Sequence, residues 1–123
     1  MFKEMIYEAY RKEADILCDE QYRGYRFLVV SYGTHPCGYV ELKEGQTYYG
    51  YDGCDGIDID VHGGLTWAGK LSFIDGWFIG WDYAHYEDFC GYDDDRRGYK
   101  RWTTAEIIEE CKSVIDQLID LGN

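Results

Sequence analysis

Apolar residues recur along this chain in two rhythms, at helical spacing near each end and at strand spacing between. Near the start, Phe2, Met5, Ile6, Ala9, Ile16 and Leu17 fall near one face of a helical wheel, while Lys3, Glu4, Glu8, Lys12 and Glu13 fall elsewhere. That pattern predicts a first helix over residues 2–20. Near the end, Ile107, Ile108, Cys111, Val114, Ile115 and Leu118 repeat at the same spacing and predict a second helix over residues 103–120. Thr103 followed by Glu106 fits a capping box, Glu109 and Glu110 lie toward the positive end of the helix dipole, and Gly122 can end the element.

Between these segments the pattern changes to strands. The run 24–30, Gly-Tyr-Arg-Phe-Leu-Val-Val, reads as a buried strand. His35-Pro36-Cys37-Gly38 reads as a turn before a second strand, Tyr39–Leu42. Gly45–Gly56, rich in Tyr, Asp and Gly, reads as loop or irregular hairpin. Strict alternation over 57–62 predicts a strand that buries Ile57, Ile59 and Val61 and turns Asp58, Asp60 and His62 to the other side. After Gly63-Gly64 comes Leu65–Ala68, and Asp75-Gly76 is the strongest hairpin signal, predicted to join Leu71–Ile74 to Trp77–Trp81. In the latter run Trp77, Ile79 and Trp81 share one face, and Phe78, Gly80 and Asp82 the other. The expectation is one α+β domain over residues 1–123, a mainly antiparallel sheet with an N-terminal and a C-terminal helix.

Composition narrows the function. The chain is 46% hydrophobic and 18% aromatic, which excludes disorder, and no apolar run approaches the roughly 20 residues that cross a bilayer. No membrane partner is expected. Charges among Met1–Met5 break what would be the apolar part of a signal peptide, so the expected compartment is the cytoplasm. Five cysteines without a Cys-x-x-Cys pair suit reduced thiols better than a disulfide framework. With a net charge of −12 the long-range field repels duplex nucleic acid. That acidity serves solubility, or else it imitates phosphates toward a basic partner surface.

Chemistry-bearing side chains are densest over Val61–His85, where three tryptophans, two histidines and five glycines share one segment. Trp67 and Trp81, beside glycines, offer stacking surface if one sheet face is open, and are core packing if it is not. His62, Asp82 and His85, with Asp60, carry the donor types of a zinc, iron or manganese site, but their spacing matches no paired-ligand pattern. No metal and no cofactor is therefore predicted. Cys90 near His85 lacks a predicted pKa-lowering neighbour and reads as a structural thiol. Before the last helix, Arg96, Arg97, Lys100 and Arg101 cluster with Tyr99, Trp102, Thr103 and Thr104, a pattern suited to the phosphate and base of a small nucleotide. Asp93–Asp95 immediately before them supports the opposite reading, a self-neutralising surface loop.

The blocks CGYVELKEGQTYYG, VHGGLTWAG, GWFIGWDYAHYED and TTAEIIEECKSVIDQL, spread over residues 24–120, resemble a family of small proteins of phage and prophage genomes. Its members commonly carry Phe-Asp-Cys-Ala-His where this chain has Trp81-Asp82-Tyr83-Ala84-His85, a departure that favours binding over catalysis. The resemblance implies phage origin and a counter-defence role inside a bacterial host. The function expected first is sequestration of a small nucleotide-type immune signal by His62, Trp67, Trp81, Asp82, His85, Arg96, Arg97, Lys100, Arg101 and Trp102. The alternative is an acidic, anti-CRISPR-type inhibitor of a bacterial defence protein, acting through Asp52, Asp55, Asp58, Asp60 and Asp93–Asp95. A third reading is a metal-dependent enzyme using His62, Asp82 and His85. A sheet domain with an apolar edge is also suited to homo-oligomers.

Overall fold

The computed structural model of the chain describes residues 3–7, 12–33, 35–51, 53–84 and 100–122. Among the described residues, strands β1 (Lys3–Tyr7), β2 (Lys12–Tyr22), β3 (Tyr25–Ser31), β4 (Pro36–Leu42), β5 (Trp67–Leu71) and β6 (Ile74–Asp82) precede one helix, α1 (Thr104–Asp120). The strands form a single six-stranded sheet in the order β1-β2-β3-β4-β6-β5, with every neighbouring pair antiparallel. An α+β architecture results, with one difference at the start. The segment expected to be an N-terminal helix is the β1–β2 pair instead.

A bulge at Leu17 explains the difference. Ile16 lies opposite Val30 and Cys18 opposite Val29, so the extra residue between them rotates the strand. Ala14 and Ile16 therefore pack on one face of the sheet, and Cys18 and Tyr22 on the other. Leu17 itself is left 47% exposed. The bulge erases the two-residue alternation that marks a strand, and what remains imitates helical spacing.

The two faces of the sheet carry separate cores. On one, Phe27, Val29, Val40, Leu42, Ile79 and Trp81 meet Ile107, Cys111, Val114, Ile115 and Leu118 of α1. On the other, Leu28, Val30, Tyr39 and Phe78 gather with Tyr32, Cys37 and Phe73. Ile79 and Trp81 thus part from Phe78 as the alternation requires. Capping holds α1 at its start: the Thr103 side chain accepts from the Glu106 amide, and the Glu106 carboxylate accepts from the Thr103 amide at 3.0 Å. Gly122, at φ +95°, follows the last turn and its amide reaches the Ile119 carbonyl at 2.9 Å.

Three local expectations are corrected. Pro36 opens β4 rather than sitting in a turn, a position where its missing N–H costs the ladder little. The hairpin between β5 and β6 turns at Ser72-Phe73, with Leu71 opposite Ile74, so Asp75-Gly76 belongs to β6. Phe73, only 5% exposed, anchors that turn in the second core. Gly76 is needed for another reason: its φ is +128°, and a Cβ there would come 2.4 Å from a Glu41 carboxylate oxygen. Finally, Ile57–Val61 alternates as expected, with Ile57, Ile59 and Val61 packed on the helix-side core, but it joins no sheet. The Gln117 side chain stands in for a neighbouring strand, accepting from the Asp60 amide at 2.7 Å and donating to the Asp60 carbonyl at 2.7 Å.

A candidate ligand pocket on the face opposite the helix

Gly80 lies in register between Tyr39 of β4 and Trp67 of β5. On the face away from α1 the glycine leaves a gap, and the Tyr39 ring lies across it: a Cβ at Gly80 would come 2.4 Å from Tyr39 Cδ1 and 2.5 Å from its Cε1. Tyr39 is thereby the floor of a cavity of about 230 Å³, and Trp67, 41% exposed, is its wall. The Tyr39 and Tyr32 hydroxyls share a hydrogen bond of 2.5 Å, and the His35 ring stands 6.5 Å from that of Tyr32.

One end of the cavity carries a carboxylate. Asp82 sits one step further along the same face of β6 than Gly80, opposite Cys37. Its Oδ2 accepts from Thr66 Oγ1 at 3.1 Å and its Oδ1 from the Ala84 amide at 3.1 Å, which fixes the plane of the group. Burial, reinforced by the Asp82 charge, pushes the Cys37 thiol, which lines the cavity, up to about 12. At the other end Tyr32, Tyr39 and Trp67 also line an adjoining cavity of about 140 Å³ with Lys70, Leu71 and Phe73. Drug-sized ligands need clefts of about 300 Å³ or more, so these cavities suit a single ring system with a short extension.

His62 and Trp102 gather at a different place, around Tyr83. The His62 ring stacks on that of Tyr83 at 5.1 Å and 6°, and Trp102 leans on both at 4.7 and 5.0 Å. The Tyr83 hydroxyl accepts from Trp81 Nε1 at 2.9 Å and donates to Glu110 at 2.6 Å. Burial, followed by the bond to Glu110, raises its pKa far above the ordinary phenol value. Lys100 stands 4.6 Å above the Trp102 ring and is ion-paired to Glu106 at 2.7 Å. The start of α1 is therefore supplied with the chain's own carboxylate, where the sequence suggested an incoming phosphate.

The ten expected site residues consequently divide. Trp67, Trp81 and Asp82 line the pocket. Trp81 is 1% exposed, with its indole over Gly38 on the helix side, and cannot stack a ligand. His62, Lys100 and Trp102 build the cluster over Tyr83, and Arg101 lies exposed just before the helix. His85, Arg96 and Arg97 lie outside the described residues. Among the described residues, no group of three or more His, Cys, Asp or Glu is placed to hold a metal ion, and no helix is long and apolar enough to cross a membrane. Sequence reasoning missed Tyr32, Tyr39 and Thr66, whose roles follow from β4 lying beside β6, a pairing between strands not consecutive in the chain. No protein-family profile, curated protein or solved structure matches the chain.

Proposed function

We propose that this protein is a binding module that holds a small planar ligand of the nucleobase type and returns it chemically unchanged. The observation that carries this reading is the pairing of a large exposed ring, Trp67, with a floor made by Tyr39 over Gly80, on a rigid sheet rather than on loops. Stacking on an aromatic side chain contributes about 1–3 kcal/mol per base. The fixed Asp82 carboxylate supplies a polar anchor. In the setting that the phage-type motifs imply, such a module withdraws a nucleotide signal from a bacterial defence. The test is a set of two-dimensional NMR titrations with single nucleosides. Shifts should centre on the Trp67 indole and the Thr66 and Ala84 amides; shifts centred on Trp102 and His62 would sink the assignment.

A second reading rests on the segment 57–61. The Tyr48 hydroxyl lies 3.3 Å from the Asp58 amide and Gln117 clamps Asp60, so exposed Asp58 and Asp60, two residues apart, stand about 7 Å from one another if the segment is fully extended. Such a row of carboxylates suits a basic surface on a defence protein, and its binding would weaken steeply with salt.

A further inference from the structure

Resting on the pocket reading above, we propose that Asp82 makes the site selective for a ring edge with two adjacent N–H donors, which among the common nucleobases is the N1–H and N2–H edge of guanine. Asp82 is two residues beyond Gly80 on the same face of β6, so its backbone lies about 7 Å along the strand from the point where Trp67, Gly80 and Tyr39 align. A base stacked on Trp67 therefore presents its hydrogen-bonding edge, not its face, to the carboxylate. An ionised carboxylate only accepts, and it accepts two parallel N–H bonds well. Adenine and cytosine each place an acceptor nitrogen next to their amino group on that edge, and the acceptor would face the Asp82 charge. Thr66 and Ala84 hold the carboxylate in plane, so it cannot turn away at little cost.

A net charge of −12 disfavours a longer polyanion, so the ligand class is a guanine mononucleotide or a comparably small guanine-bearing molecule.

The experiment is titration of the full chain with the monophosphates of guanosine, inosine and adenosine, and with choline, read by tryptophan fluorescence and calorimetry. Wild-type protein, Asp82→Asn and Trp67→Ala are compared. Inosine lacks the 2-amino group and should bind about 10-fold more weakly than guanosine, and adenosine about 100-fold more weakly. Asp82→Asn should abolish the preference while retaining residual stacking, and Trp67→Ala should weaken all three nucleotides. If the nucleotides bind through Trp67 without preference for guanine, the selectivity assigned to Asp82 is overturned and the pocket reading stands. If none binds, or choline binds in their place, both fall. Should Asp82→Asn fail to fold, the ratio of the three nucleotides on wild-type protein decides alone.

Discussion

Replacing Gly80 with alanine tests whether the pocket floor is built as described. The added methyl would stand 2.4 Å from Tyr39 Cδ1, where ordinary contact begins at 3.4 Å, so the ring must retreat by about 1 Å. Tyr39 has little room to do so: it is 6% exposed, and its hydroxyl is bonded to Tyr32 at 2.5 Å. Overpacking of this kind costs about 1–3 kcal/mol, offset by about 0.5–1 kcal/mol because alanine is the better residue in a strand. The net loss is about 0–2.5 kcal/mol, with a central value of about 1 kcal/mol that lowers Tm by about 3–6 °C for a domain of this size. Thermal unfolding followed by circular dichroism measures it, and the same substitution in a Tyr39→Ala background supplies the control. With the ring gone, the nearest remaining neighbour is the Gly38 carbonyl at 3.2 Å, and Gly80→Ala should become nearly neutral. Equal cost in both backgrounds, or no cost in either, would refute the reasoning.

The two tryptophans should separate stability from binding. Trp81→Ala empties the helix-side core and should cost about 3–5 kcal/mol in urea unfolding, whereas Trp67→Ala should cost far less and remove ligand binding. Gln117→Ala should release the 57–61 segment, with a stability loss of about 1–2 kcal/mol and faster hydrogen exchange at the Asp60 amide. Stability should fall at high pH. Cys37 is pushed up from its ordinary 9.0 to about 12 by burial and then by the Asp82 charge, and burial also raises Cys111. The folded chain keeps these protons where the unfolded chain loses them. Their contribution is therefore whole below pH 9.0 and declines as pH rises toward about 12, by at most about 1.4 kcal/mol per pH unit per thiol. Urea midpoints at about pH 8 and about pH 10.5 check the sign, and a midpoint that rises would contradict it.

How far the sequence disclosed this structure depended on where each signal lay. Elements whose pattern is local were legible: α1 with its Thr103–Glu106 box, the β3 run, and the division of Ile79 and Trp81 from Phe78. Features set by a distant partner were not. The β2 bulge answers to Val29 and Val30, the 57–61 segment is held by a helix side chain, and the hairpin turn is set by Phe73 reaching the second core. The same rule governs the site. Trp67 and Asp82 stood out as glycine-flanked and polar in a strand pattern, but Tyr39 became a floor only once β4 was placed beside β6. Trp81 carried the same sequence signal as Trp67, and only the side occupied by α1 tells them apart.

The most direct test of the account is native mass spectrometry of the protein and its Trp67→Ala variant, each incubated with extract from phage-challenged bacteria and then denatured to identify what is released. The account predicts an intact, guanine-bearing small molecule bound one per pocket to wild-type protein and missing from the variant. An equal load on both proteins, a chemically altered product, or no small molecule on either would contradict it.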